Sequence, residues 1–437
     1  MLRKYNFSDT PIVEIVNDIL YDASVRKASD IHFDSFENFV KIRIRIDGTL
    51  MDYATVPNAY KQNLITRIKI LSGMNITETR LPQDGAIKIK IEDTDLDMRV
   101  STLPTNLGEK VVIRIMDYKA SADGIEHLDF NEKNLEKVYE MINKPNGIIL
   151  VTGATGTGKS TTVYSILQRL NREEVNLITV EDPIEMDITG INQVQVNSEI
   201  GLTFASTLRS ILRQDPDIIM IGEIRDSETA KIAVRASITG HLVLSTIHTN
   251  NSLTTIERLL DMDVERYLLS SALSGIISQR LARRLCQHCI TKRPAKDYEK
   301  KVFKDYLDTD IEEIYYSPGC EKCNDGYLGR IAIQEVLLIN EEIRDAINDG
   351  IPKEDLRTLV YKGDVITMFQ DGLMKVLKGL TSLEEVMRLI EAEDNDKISE
   401  YDHEHHEEIN ECLTDKIDEN DKNFNDDGIT NVETLDF

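Results

Sequence analysis

Residues 147–170 read GIILVTGATGTGKSTTVYSILQRL, and this stretch decides the fold. Ile148 to Val151 is a short apolar run of the kind that forms a strand buried on both faces. The segment STTVYSILQRL that follows reads as a helix. Between them Gly153, Ala154, Thr155, Gly156, Thr157, Gly158, Lys159 and Ser160, followed by Thr161, fit GxxxxGK[ST] in the strand-to-helix context that motif requires. Its glycines let successive backbone N–H groups turn inward around phosphates, and the helix N-terminus adds its positive end. Lys159 can reach β and γ oxygens, and the Ser160 hydroxyl can serve Mg²⁺. The loop is therefore a candidate ATP site.

Working outward, the apolar runs Leu177 to Val180, Ile218 to Ile221 and Leu242 to Leu244 repeat the buried-strand pattern, with helical stretches between them. That alternation predicts an α/β fold around a mainly parallel sheet. A nucleotide hydrolase needs carboxylates beyond the strands that flank its loop. TVEDPIE (179–185) supplies Glu181, Asp182 and Glu185, and DPDIIMIGEIRD (215–226) ends its strand in Glu223, with Gly222 where an acid usually precedes the glutamate. His248, in STIHTN, follows LVLST and falls at another strand's C-terminal edge, where ligands bind in such sheets.

The region before the loop reads differently. Asp9 or Thr10 can cap a helix with Pro11 at its first position and Ile12, Ile15, Val16, Ile19 and Leu20 on one face. Val40 to Ile46, Ile87 to Ile91, Leu96 to Val100 and Val111 to Ile115 alternate as half-buried strands, Asp47-Gly48 offers a turn, and Gln62 to Ser72 has helical spacing. Together these predict an α+β domain over 1–122, followed by the α/β domain over 123–390. Beyond Cys323 helical segments are expected to continue to about Leu389.

The chain has 437 residues, 41% hydrophobic and 29% charged, which fits several globular domains and excludes a fibrous or wholly disordered protein. The net charge of −26 speaks against a surface that tracks nucleic acid. Most of it is local: residues 391–437 hold 18 acidic residues against Lys397, Lys416 and Lys422, a net of −15, as expected of a disordered acidic tail. His403, His405 and His406 read as an incidental cluster within it. No apolar run approaches the roughly 18 residues of a transmembrane helix, and the first residues lack the apolar core of a secretory signal, so a cytoplasmic location is expected.

In a reducing compartment the pairs Cys286/Cys289 and Cys320/Cys323 read as metal ligands before disulfides. Four thiolates close a tetrahedral Zn²⁺ shell with no open position for catalysis, which makes this a structural zinc element over 284–330. Arg280, Arg283, Arg284, Lys292 and Arg293 surround the first pair. Without interleaved aromatics, this basic patch suits a protein contact better than nucleic acid.

Taken together, GATGTGKST, TVEDPIE, GLTFASTLRSILRQDPDIIMIGEIRD and TGHLVLSTIHTN resemble the secretion ATPases of type II secretion and type IV pilus assembly, the GspE/PilB family. ASDIHFD, IRIDG, RLPQDG, STLPTNLGEKVVIRI, QRLARRLC and GRIAIQEVL extend the likeness over roughly 10–390. The resemblance implies a RecA-like P-loop NTPase core preceded by a PAS-like domain. It implies a homo-hexamer at the cytoplasmic face of the inner membrane that works on a membrane platform protein and couples ATP hydrolysis to pilus or pseudopilus assembly.

By matching position, Lys159 and Ser160 belong to Walker A, Glu185 would polarise the attacking water, Glu223 would act on Mg²⁺ and His248 would sense the γ-phosphate. Arg99, Arg114, Arg209 and Arg213 match phosphate-facing arginines. Guanidinium forks suit the charge that develops on a transferred phosphoryl group. The tetracysteine element favours assembly over retraction. The family's usual amino-terminal domain, which in some members binds cyclic-di-GMP, is expected to be missing, since the first residues already match the second domain.

Overall fold

The protein is described by a computed structural model covering residues 3–7, 9–91, 94–116 and 124–391. The acidic tail expected from residue 391 onward lies outside the described residues, apart from its first position.

The first region builds a sheet of six antiparallel strands: β1 (Asp30–Ser35), β2 (Phe39–Ile46), β3 (Thr49–Pro57), β4 (Gln83–Ile91), β5 (Thr94–Thr105) and β6 (Gly108–Met116), in the order β3-β2-β1-β6-β5-β4. The alternation in β2 explains its orientation, because Val40, Ile42 and Ile44 are buried while Lys41, Arg43 and Arg45 face outward. Asp47 and Gly48 take φ of 49° and 84°, the left-handed pair that a two-residue hairpin demands. Helices Ile12–Val25 and Lys61–Leu71 cover the inner face with Ile15, Ile19, Leu64 and Ile68. The first helix begins one residue later than its sequence suggests. Pro11 sits at the capping position with φ −58° and ψ 140°, and no side chain caps the helix.

The second sheet has seven strands: β7 (Gly147–Thr152), β8 (Leu177–Glu181), β9 (Asn192–Gln195), β10 (Ile218–Ile221), β11 (Leu242–Ile247), β12 (Leu273–Leu285) and β15 (Tyr327–Leu338), ordered β15-β12-β7-β11-β10-β8-β9. All neighbours are parallel except β12 and β15. Both faces are covered. Ile148 and Leu150 of β7 pack into one core, and Ile149 and Val151 into the other, which explains the unbroken apolar runs. Helix Lys159–Leu170 brings Val163, Ile166 and Leu167 to the second core, each burial stabilising by about 1.5–3 kcal/mol.

The two longest strands of the second sheet escape the sequence reading. β15 occupies part of the stretch expected to be helical, and β12 carries no strand expectation. Ile331 to Leu337 are all buried, including Gln334 and Glu335, so the alternation that betrays a half-exposed strand is missing.

Between β12 and β15 the chain makes an excursion: the ribbon β13 (Thr291–Pro294) and β14 (Glu313–Tyr316), with helix Asp297–Leu307. Its small core, Val302, Phe303, Ile311 and Ile314, is completed by Leu373 and Val376 of helix Met368–Leu377 and by Val386 of helix Leu383–Glu391.

Candidate active site

Parallel pairing brings four strand ends to one edge. Thr152 of β7 lies opposite Ile247 of β11, and Ile221 of β10 lies opposite Ser245 of β11 and Val180 of β8. The glycine loop, Glu181, Glu223 and His248 therefore emerge side by side. Hydroxyls lock the edge. Thr152 Oγ1 donates to the Thr249 carbonyl at 2.6 Å, and Thr246 Oγ1 donates to the Gly222 carbonyl at 2.8 Å. Neither threonine stands out in sequence, since each reads as an ordinary strand residue.

Lys159 opens the helix after the loop and is 8% exposed. Its Nζ donates to the carbonyls of Gly153 and Ala154 at 2.8 and 2.9 Å, so the ammonium lies across the loop where phosphate oxygens would meet it. Burial lowers its pKa, and nearby Glu223 opposes that shift. Ser160 follows on the exposed side of the same turn.

Glu223 pairs with Arg225, and His248 Nε2 lies 3.5 Å from its other carboxylate oxygen. Partial burial, and then Lys159, push the His248 pKa down, which favours the neutral imidazole at pH 7. The Ser160 hydroxyl and the Glu223 carboxylate each offer oxygen donors, the kind that suits Mg²⁺.

TVEDPIE divides its carboxylates between two tasks. Glu181 is 3% exposed and takes hydrogen bonds from Thr179 Oγ1 at 2.5 Å, Gln193 Nε2 at 3.1 Å and the Tyr164 hydroxyl, so it is consumed in structure. Glu185 remains 35% exposed and meets Arg99 Nη2 of β5 at 3.1 Å. The same guanidinium donates to the Ile184 carbonyl at 2.8 Å. Burial raises the Glu185 pKa, against the pull of Arg99 and then Arg114. Tyr164, on the helix after the loop, also accepts from the Glu185 N–H at 3.1 Å and so holds TVEDPIE against that helix. Sequence reading missed it because a tyrosine on an apolar helix face looks like core.

Of the four arginines, the structure gathers two. Arg99 and Arg114 are register partners on β5 and β6, and Arg99 reaches across to the nucleotide edge while Arg114 Nε donates to Asp30 at 3.0 Å. Arg209 and Arg213 stand elsewhere. Arg209 pairs with Glu228, and Arg213 falls beyond helix Phe204–Ile211, its Nη1 donating to the Arg209 carbonyl at 2.7 Å. Neither forms an ion pair with Glu185 or Glu223 among the described residues.

The four cysteines converge. Their sulfurs lie within 4.8 Å of one another, with Cys286–Cys320 and Cys289–Cys323 at 3.9 Å and Cys320–Cys323 at 3.6 Å. Disulfides would need about 2.05 Å. Four sulfurs at the Zn–S distance of a tetrahedral ion stand about 3.8 Å apart, so the donor set and its spacing fit zinc.

The basic patch beside them is largely neutralised within the chain. Arg283 pairs with Glu385 at 2.8 Å and lies 4.0 Å over the Tyr327 ring, Arg293 pairs with Glu299 at 2.6 Å, and Lys292 with Glu313 at 3.4 Å. Arg280 is buried and donates to the Leu389 carbonyl.

The doubly covered parallel sheet, the phosphate loop and the carboxylates at its edge define a P-loop ATPase of RecA-like fold. Residues 6–388 match the family described as type II/IV secretion system protein. The chain is 47% identical over 387 residues to the type II secretion system protein E of Dickeya dadantii, covering 88% of this chain and 77% of that one. It is 46% identical over 376 residues to the type IV pilus assembly ATPase PilB of Thermus thermophilus, covering 86% and 42%. The Legionella pneumophila ATPase DotB shares the fold, with a TM-score of 0.67 at 22% identity over 90% of this chain and 98% of that one. The chain belongs to the type II/IV secretion system protein family, and it is an ATPase.

Proposed function

We propose that this ATPase is a motor for assembly of a type IV pilus or type II secretion pseudopilus, working as a cytoplasmic homo-hexamer on a platform protein at the inner face of the cell membrane. The observation that carries the reading is the Arg99–Glu185 contact. It joins the first sheet to the hydrolytic edge of the second, 86 positions further along the chain, so relative motion of the two sheets and chemistry at the loop are mechanically linked.

In this reading Gly153 to Thr161 cradle the phosphates of ATP, and Lys159 leaves the Gly153 and Ala154 carbonyls for the β and γ oxygens. Ser160 and Glu223 would hold Mg²⁺, which would supply positive charge to the phosphates. Glu185 orients and polarises the attacking water once Arg99 turns toward the transferred phosphoryl group. Neutral His248 donates its single N–H to the γ-phosphate. Arg114, Arg209 and Arg213 stabilise the developing charge after domain or subunit movement. Cys286, Cys289, Cys320 and Cys323 hold a structural Zn²⁺, and nucleic acid is no partner.

Glu223→Gln keeps the size of the side chain but removes its charge and replaces one acceptor oxygen with a donor. ATP binding should persist while turnover falls by roughly two orders of magnitude, the scale on which one preorganised group acts. Cells carrying only this variant should assemble no filament. Wild-type turnover in the variant would remove Glu223 from the chemistry.

A further inference from the structure

Gln279 sits on β12, one residue beyond Ser278, which lies opposite Thr152 at the end of the loop-bearing strand. It is 3% exposed, and both ends of its amide are used. Nε2 donates to the Thr157 carbonyl at 2.7 Å, and Oε1 accepts from Thr162 Oγ1 at 2.7 Å. The same residue crowds both outer glycines of the loop. A Cβ at Gly153 would stand 2.5 Å from the Gln279 carbonyl oxygen, and one at Gly158 would stand 2.7 Å from Nε2.

A phosphate loop works by turning its N–H groups inward, which turns carbonyls outward, and a carbonyl facing protein needs a donor. Gln279 is that donor for Thr157. Its orientation is fixed, because an amide turned over would set its oxygen against the Thr157 carbonyl. From behind, Gln334 of β15 donates to the Leu128 carbonyl at 2.9 Å, and its own N–H donates to buried Asp371 at 2.8 Å. We infer that Gln279 is a positioning residue for nucleotide binding, holding the loop in its phosphate-binding shape through the Thr157 carbonyl. The inference rests on the loop being the ATP site.

The test compares ATP affinity of the full chain with Gln279→Glu, Gln279→Leu and Thr162→Val, using thermal unfolding to confirm that each is folded. At pH 8 Gln279→Glu presents a carboxylate to a carbonyl, and affinity should fall about tenfold, as for one lost buried hydrogen bond. As pH is lowered, the introduced carboxyl regains an O–H that can donate to Thr157, so the ratio of variant to wild-type affinity should return toward one. Gln279→Leu cannot recover at any pH. In turnover assays both should raise KM more than they lower kcat. Thr162→Val, which only frees the amide to rotate, should lose a few-fold in affinity and serves if the Gln279 variants fail to fold.

Wild-type affinity in folded variants, or a loss in Gln279→Glu with the same ratio at every pH, would overturn the inference. If wild-type protein binds no ATP, the site reading falls and this inference with it.

Discussion

Glu185 and Arg99 are the two residues whose chemistry is most finely balanced. Burial holds the carboxyl above its ordinary range, and the guanidinium beside it opposes that shift. A carboxylate that polarises water must be ionised, so turnover should fall as pH drops through the raised Glu185 pKa. Arg99→Gln removes the group that favours ionisation, so the acid limb of the pH–rate profile should move to higher pH, with kcat reduced as well. An acid limb that stays in place would show that another group sets it. At this scale the sequence placed those side chains whose position is set by their neighbours along the chain. Lys159 and Ser160 follow from the loop motif, and Glu223 and His248 from the ends of apolar runs. Tyr164, Thr246 and Gln279 were not legible, because their partners are 17 to 122 positions away and nothing local marks a buried hydroxyl or amide as paired.

At the scale of elements, the cysteine excursion has a small core of its own and depends on what closes it. Chelation, or Cys286→Ser, should release a single Zn²⁺ per chain. Amides in β13, β14 and helix Asp297–Leu307 should lose protection from hydrogen exchange by an order of magnitude or more, while those of β7 and β11 keep theirs. Equal loss in both places would show that the metal supports the whole ATPase core. Helix Met368–Leu377 is tied down by Asp371, which is fully buried and accepts from Lys375 Nζ at 2.5 Å, Asn131 Nδ2 at 2.7 Å and the Gln334 N–H at 2.8 Å. Asp371→Ala strands the Lys375 charge and should cost about 3–5 kcal/mol in denaturant unfolding. A cost below about 1 kcal/mol would mean that Lys375 finds another partner. β2, β4, β5 and β6 could be read from their alternation and β7, β8, β10 and β11 from their apolar runs, while β1, β3 and β9 carried no expectation. β12 and β15 could not be read, since a strand buried on both faces yet carrying Ser278, Gln279, Gln334 and Glu335 has neither period nor a pure apolar run.

For the whole molecule, two sheets meet at the nucleotide edge, and among the described residues the contacts between their elements are few. Besides Arg99 with Glu185 and Ile184, Asp47 of the β2–β3 turn accepts from the Gly329 N–H at 2.8 Å. Such a junction suits a machine in which the first sheet swings over bound nucleotide. Arg209 and Arg213, which form no ion pair with Glu185 or Glu223 among the described residues, would need a movement or a neighbouring subunit to reach phosphate, and the hexamer proposal supplies both. Among the described residues no helix is long and apolar enough to cross a membrane. The most direct measurement is ATP hydrolysis by purified protein across its oligomeric fractions, with and without the platform protein, beside Lys159→Ala as control. Turnover confined to hexamers, raised by the platform and lost in the control, is the predicted result; turnover in monomers, or stimulation by DNA alone, would contradict it.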